Sequence, residues 1–182
     1  MNEAEPPAGR MLTILRGGDY CRVADPAWTD PLTGQFAKER GRRWNPPGSF
    51  PVVYLNRDEA VARANVARLY AGRPYGPEDF KQGPAPDLVT VRVAEDAYVD
   101  IVTDAGCVAV GLSESYPLDA TGTVVSHEVC QPIGQDAWDA GRPGIACRSA
   151  APGAPAGGEE LAWFARGRRL TALRVRPFPD WF

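Results

Sequence analysis

The stretch from Gly41 to Tyr54, GRRWNPPGSFPVVY, brings together residue types that can hold a polar ligand. Arg43 offers a planar cation with several N–H donors, and Trp44 places a flat ring beside it. Two prolines fix φ at about −65°, and two glycines permit turns that other residues avoid, so the loop is stiff. This composition favours a binding loop; the alternative is a surface turn whose tryptophan belongs to the core.

Basic residues occur in two local clusters. They are Arg40, Arg42 and Arg43 in and before this loop, and Arg166, Arg168 and Arg169 near the C-terminus. Guanidinium groups clustered in this way suit a small molecule that carries phosphate. The formal net charge is −3, which gives no reason to expect direct binding to nucleic acid or to a membrane surface.

The chain has 182 residues, 44% of them hydrophobic, which is enough for one domain with a substantial core. We expect residues 1–15 to be a tail or first element and residues 16–182 to form the domain. The first nine residues lack the apolar run of a signal peptide, and no stretch approaches the roughly 20 apolar residues of a membrane-spanning helix. These features predict a cytoplasmic protein.

Cysteine and histidine do not form a recognisable metal or redox motif. The four cysteines lie far apart without a Cys-x-x-Cys pair, so neither zinc nor a disulfide is expected. His127 is the one histidine, and without a Ser-His-Asp or metal pattern a structural role is favoured for it. Cys147 is interpreted as a small core residue rather than a nucleophile.

The elements after the loop predict how its neighbours are placed. Pro51–Leu55 is a β-branched run typical of a buried strand. A helix is predicted over about Asp58–Tyr70, capped by Asn56 or Asp58. Its apolar stripe consists of Val61, Ala62, Val66 and Leu69. Asn65 lies in the middle of that stripe, so we expect its side chain to face inward.

The rest of the chain predicts short strands with few helices. Strands are expected over Asp19–Val23, Leu88–Val93, Tyr98–Val102 and Ile145–Ser149, a strand or short helix over Met11–Leu15, and a helix over Ile133–Ala140. Glu160–Phe164 and Leu170–Val175 suggest a closing hairpin. Residues 72–87 are rich in proline and glycine, which predicts an irregular connection and a candidate cover for a cleft.

This order of elements lacks regular βαβ alternation, so it favours an α+β fold over a doubly wound one. Neither Gly-x-Gly-x-x-Gly nor Gly-x-x-x-x-Gly-Lys-Ser/Thr is present. A nucleotide, if bound, is therefore held in another way.

Several of these segments together resemble the RES domain. They are Tyr20–Val23, Asp30–Leu32, Gly41–Gly48, Val52–Tyr54, Gly144-Ile145 and Arg148–Ala150. The resemblance extends over roughly residues 20–175, and the arginine motif is more specific than the serine motif. It implies a single domain with an ADP-ribosyltransferase-like fold of mixed sheets and flanking helices.

The RES resemblance also implies a function. Members are toxins of bacterial toxin–antitoxin pairs whose partner carries an Xre-type helix-turn-helix domain. They consume NAD by hydrolysis or phosphorolysis of the nicotinamide–ribose bond, or transfer its ADP-ribose to a protein. NAD is thus the implied substrate and an Xre-type antitoxin the implied partner, with a homo-oligomer left open.

The family's functional residues carry over by position. Arg43, Tyr54 and Ser149 match the family's arginine, tyrosine and serine, and with Asn65 they form the implied catalytic set. The implied NAD-binding set is Arg43, Trp44, Asn45, Tyr54 and Ser149. From residue type alone, Trp44 is favoured as packing and Asn45 as a holder of the turn. Tyr20 and Arg22 either line the same cleft or belong to the framework.

Position 65 departs from the family pattern. The family glutamate lies eleven residues after the tyrosine, where this chain has Asn65. Breaking the bond to nicotinamide builds a cation on the ribose, which a carboxylate stabilises and an amide does not. Loss of one such group forfeits roughly 10²- to 10³-fold in rate, so attenuated activity is expected, and Asn65→Glu is expected to raise it. Glu128, Glu159 or Glu160 could approach from a distant segment instead.

Two further functions stay open at this point. One is a noncatalytic module that holds NAD, another nucleotide or a partner protein. The other is a protein ADP-ribosyltransferase, in which ADP-ribose passes to a macromolecule rather than to water or phosphate.

Overall fold

A six-stranded mixed sheet forms the centre of the computed structural model, which describes residues 11–74, 76, 79 and 85–182. The strands are β1 Thr13–Ala24, β2 Val52–Asn56, β3 Asp87–Ile101, β4 Gly144–Arg148, β5 Glu159–Phe164 and β6 Ala172–Arg176. Pairing runs β1–β2–β5–β4–β3, and β3 also pairs with β1, so the ring of pairings closes. Among the described strands, β3–β4 is the parallel pair and the other pairs are antiparallel. A mixed sheet with flanking helices confirms the predicted α+β class.

Two pairs of predicted strands are each one long strand. Met11–Leu15 and Asp19–Val23 both fall largely within β1, and Leu88–Val93 and Tyr98–Val102 both fall largely within β3. β1 and β3 pair along nearly their whole length, with a register shift between Arg16 and Gly18. The glycines and acidic residues that interrupt both apolar patterns lie opposite each other at this irregularity. Hydrogen bonding between β1 and β3 on both sides of the irregularity keeps each strand continuous, although its apolar pattern is interrupted there.

The predicted closing hairpin is wrong. β5 pairs with β2 and β4, whereas β6 pairs with the outer edge of β3. Residues 161–164 of β5 are all buried, at no more than 4% exposure. Since β2 and β4 occupy both edges of β5, it lies in the interior of the sheet and has no free edge for the exposed strand β6.

The helices are α1 Gln35–Arg40, α2 Glu59–Tyr70, α3 Asp104–Ala109 and α4 His127–Asp139. The predicted start of α2 is confirmed, because Asp58 Oδ1 accepts the Val61 N–H at 3.0 Å. The predicted stripe is wrong at Leu69, which is 57% exposed, while Ala64 is buried. α4 begins six residues before the predicted Ile133 and continues through Pro132. The first turn of α4 contains polar residues, so the apolar pattern did not predict that the helix begins there.

The core lies on both faces of this sheet. A large cluster packs α4 and the loop before β2 onto one face, and a second cluster, formed mainly by the alternate residues of the strands, lies on the other face. The C-terminal residues pack with α2 in a smaller cluster. Within the described ranges, no helix is both long and apolar enough to cross a membrane. Of the predicted tail or first element over residues 1–15, residues 1–10 lie outside the described residues, as does part of the candidate cover over 72–87.

Candidate functional site

A cavity of about 320 Å³ lies where β1, β2 and β5 meet α2 and the loops beside α1 and α4. Its wall contains four arginines, Arg22, Arg42, Arg43 and Arg68, and the carboxylate of Glu160. Aromatic side chains of Trp28, Phe36, Trp44 and Tyr54 complete much of the wall. Guanidinium groups beside flat rings suit a ligand that has both anionic groups and planar ones.

The loop over residues 41–51, which precedes β2, is held by the hydroxyl of Tyr54 in β2. This hydroxyl accepts the Trp44 N–H at 2.9 Å and donates to Asn45 Oδ1 at 2.8 Å. Asn45 in turn donates from Nδ2 to the Ala37 carbonyl at 2.7 Å, and it is fully buried behind the wall. Burial raises the pKa of Tyr54, so the hydroxyl keeps its proton. Tyr54 therefore ties the loop to β2, while its side chain also lines the cavity.

Trp44 is a core residue that reaches the wall with part of its surface. It is 1% exposed and its ring centroid lies 6.0 Å from that of Tyr116. Gly134 of α4 lies against the Trp44 backbone, and a Cβ there would overlap the Trp44 carbonyl oxygen. α4 therefore contacts the backbone of the loop directly, and a side chain at position 134 would require α4 and the loop to separate.

Arg43 and Arg42 extend from this loop to different neighbours. Arg43 Nη1 donates to the Val125 carbonyl at 2.7 Å, which fixes the guanidinium at the wall. The Arg42 guanidinium lies over the Phe36 ring at 4.8 Å from the centroid. Both groups are anchored through one part of the guanidinium, which leaves other N–H donors for a ligand.

Arg22 of β1 is the most deeply buried cation of the wall. It is 7% exposed and lies over the Trp28 ring at 5.3 Å. Its Nη1 is buried without a hydrogen-bond partner among the described residues. Desolvation lowers the pKa of Arg22 to about 10, with partial compensation from Asp30, so it remains charged at neutral pH. A buried, charged and unpaired donor at a cavity indicates a place for an anion.

Asn65 and Ser149 are brought together through Glu160. Asn65 Nδ2 donates to Asn56 Oδ1 and to Glu160 Oε1, each at 2.9 Å. The Ser149 hydroxyl donates to the same Glu160 Oε1 at 2.6 Å. Asn65 lies on the wall as expected from the helix pattern, whereas Ser149 is 8% exposed and lies behind Glu160.

Of the three carboxylates considered from sequence, Glu160 is the one at the wall. Glu159 points to the other face of β5, where its carboxylate pairs with Arg16 at 2.7 Å. Glu128 is exposed in the first turn of α4. Alternation along a strand predicts that Glu159 and Glu160 face opposite ways, but which of them faces the cavity depends on the pairing of β5.

His127 lies at the wall where α4 begins. Its pKa is lowered, first by desolvation and then by the charges of Arg43, Arg68 and Arg42, so the ring is neutral at pH 7. Burial raises the pKa of the Cys147 thiol well above its usual range, which keeps that thiol unreactive. Across the described ranges, no cluster of three or more His, Cys, Asp or Glu side chains could hold a metal ion.

Comparison with known proteins finds one matching family, three similar proteins and a similar solved structure among its matches. The RES domain matches residues 19–180. Proteins named NAD(+) phosphorylase MbcT, from Mycobacterium bovis and from two strains of Mycobacterium tuberculosis, are 31% identical over 126 residues. The match covers 68% of this chain and 63% of the length of those relatives. The M. tuberculosis MbcT-MbcA toxin-antitoxin complex contains a chain with the same fold, at a TM-score of 0.74 and 24% identity, over 93% of this chain and 91% of that one.

Proposed function

The chain belongs to the RES domain family, and from that premise we propose that it cleaves the nicotinamide–ribose bond of NAD, with phosphate as the acceptor. The observation that carries the proposal is the cavity wall, which contains four arginines and the carboxylate of Glu160. The relatives named NAD(+) phosphorylase support both the substrate and the acceptor. Water in place of phosphate would make the same cleavage a hydrolysis.

The charges of the wall match the charges of this reaction. Arginines bind the diphosphate of NAD and the incoming phosphate through paired N–H donors. As the bond between ribose C1′ and the nicotinamide nitrogen breaks, its electron pair stays with nicotinamide, which becomes neutral. Positive charge then spreads over C1′ and the ring oxygen until a phosphate oxygen bonds C1′. Fixed negative charge near the ribose lowers the barrier because it interacts best with that transient cation.

Nicotinamide release from NAD by the purified protein tests the proposal. We expect release that depends on phosphate and yields a phosphorylated ADP-ribose. Arg43→Ala is expected to weaken NAD binding at least about tenfold, since it removes a charge-assisted contact. Arg92→Ala is the matched control, because that guanidinium is 67% exposed and pairs with Asp19. Release that is absent both with and without phosphate would exclude the enzyme.

The two rival functions give different results in the same experiment. A noncatalytic module would bind NAD in a calorimeter without forming nicotinamide. A protein ADP-ribosyltransferase would release nicotinamide but move labelled ADP-ribose onto a macromolecule. Phosphate dependence of the soluble product separates these cases.

The proposed biological role is that of a cytoplasmic toxin neutralised by a partner protein. The structural neighbour is part of a toxin-antitoxin complex, which supports a partner of that kind. We expect a protein with an Xre-type helix-turn-helix domain to bind this chain and suppress nicotinamide release. Growth arrest on expression, relieved by the partner, would be the cellular counterpart.

A further inference from the structure

Glu160 lies beside position 65, where the RES resemblance implies a carboxylate that this chain lacks. Asn65 of α2 occupies the expected position, and its Nδ2 lies 2.9 Å from Glu160 Oε1. The carboxylate therefore lies one hydrogen bond away from position 65, and it belongs to β5 instead of α2. Glu160 also lines the cavity, so the charge is accessible to a bound ligand.

The Glu160 carboxylate is held in a way that leaves one oxygen available. Ser149 and Asn65 both donate to Oε1, at 2.6 and 2.9 Å. Neither bond uses Oε2, which accepts no hydrogen bond from the other described residues. The backbone beneath is rigid, because β5 is paired with β2 on one side and β4 on the other. Such support is what a preorganised electrostatic group needs.

The charge of Glu160 is not neutralised by the surrounding arginines. Four arginines share the cavity wall with it, yet none of the ion pairs among the described residues involves Glu160. Its neighbour Glu159 does pair, with Arg16 on the opposite face. Glu160 is thus a hydrogen-bonded but unpaired carboxylate, which suits it to meet a cation that forms only during the reaction.

We propose that Glu160 is the catalytic carboxylate of this chain and that it replaces the family glutamate, whose position is occupied by Asn65. This inference rests on the proposed NAD cleavage. Glu160 stabilises the positive ribose as the C1′–N bond breaks and its electron pair leaves with nicotinamide. It keeps its charge throughout and takes no proton, while phosphate supplies the oxygen that bonds C1′. Asn65 and Ser149 act as positioning residues for Oε1.

Glu160→Gln tests this role with little change in shape, because the amide oxygen can still accept from Ser149 and Asn65. We expect kcat for nicotinamide release to fall roughly 10²-fold or more, while the Kd for NAD changes by less than about threefold. Glu159→Gln removes a carboxylate from the adjacent position of the same strand and is the matched control. It is expected to keep nearly the wild-type kcat.

Substitutions at position 65 separate this proposal from the expectation based on sequence alone. Asn65→Glu places a second carboxylate within hydrogen-bond reach of Glu160, so the two repel and one takes up a proton. We expect this variant to be no faster than wild type and to unfold at a lower temperature. The exchange Asn65→Glu with Glu160→Gln leaves one carboxylate and is expected to recover at least about tenfold over Glu160→Gln alone.

The outcomes distinguish the two claims. If wild type releases nicotinamide and Glu160→Gln does so within about threefold of it, or if Asn65→Glu is several-fold faster than wild type, the role of Glu160 is overturned and NAD cleavage stands. If wild type and every variant are inert, the proposed function itself fails. Should Glu160→Gln not fold, Ser149→Ala carries the test: kcat is expected to fall about tenfold while the Kd for NAD and the midpoint of unfolding stay near wild type, and an unchanged kcat overturns the proposal.

Discussion

A buried arginine with an unpaired N–H donor costs free energy, and Arg22 is such a residue. Its guanidinium is largely removed from water, and its Nη1 has no partner within the described ranges. Such a cost is tolerated where a ligand later satisfies the donor. We therefore predict that Arg22, like Arg43, binds an anionic group of the ligand.

Replacing Arg22 separates binding from folding. Arg22→Met keeps a long side chain against Trp28 but removes the charge, and we expect the free energy of unfolding to stay the same or rise by about 1 kcal/mol or more. The Kd for NAD is expected to rise at least about tenfold, as measured by calorimetry. A variant that loses stability and keeps its affinity would make Arg22 a framework residue instead.

At the scale of elements, the loop over residues 41–51 is positioned from three sides. Tyr54 holds it to β2, Asn45 ties it to α1, and Gly134 lets α4 contact its backbone directly. The direction of Arg43 depends on all three, because the loop between them has little freedom of its own. The cavity wall is thus sensitive to changes that never touch a ligand.

Gly134→Ala tests this dependence. A methyl group there would overlap the Trp44 carbonyl, so α4 and the loop must separate. We expect the free energy of unfolding to fall by about 1–3 kcal/mol and the Kd for NAD to rise at a temperature where the variant stays folded. Asp136→Ala, on the exposed face of α4, controls for the change in helix propensity and is expected to alter neither quantity much.

At the scale of the whole molecule, the C-terminal residues secure α2 and with it Asn65. Trp181 is 1% exposed, its indole N–H donates to the Pro86 carbonyl at 3.1 Å, and its own carbonyl accepts from Arg63 Nε at 2.8 Å. It packs in the same cluster as Ala62 and Val66 of α2. The end of the chain is therefore part of the support of the site.

Trp181→Ala is expected to lower the free energy of unfolding by about 3–5 kcal/mol, because it leaves a large cavity beneath α2. Chemical denaturation measures the change. Phe182→Ala removes a ring that is 39% exposed at the adjacent position, and its smaller loss serves as the control. Equal losses in the two variants would contradict a specific role for the Trp181 anchor.

Much of the site was predictable from local pattern. Residue types over 41–54 predicted a basic and aromatic binding loop, and Arg43 and Trp44 do line the cavity. The spacing of apolar residues placed Asn65 on the inner face of α2. Phosphate binding by Arg43 stays a prediction. Short strands with few helices indicated the α+β class. Each of these depends on neighbours within a few positions, which is the range over which helix and strand periodicity carries information.

Only the tertiary structure decided which carboxylate lines the cavity. Asn65 and Glu160 are 95 positions apart and meet because β5 inserts between β2 and β4, a pairing that the predicted hairpin with β6 had wrong. A shift of one residue in β5 would have presented Glu159 instead, since alternate side chains face opposite sides. Register is set by contacts between distant segments, so the sequence alone determined that a carboxylate was missing at position 65, and the folded sheet determined where another one lies.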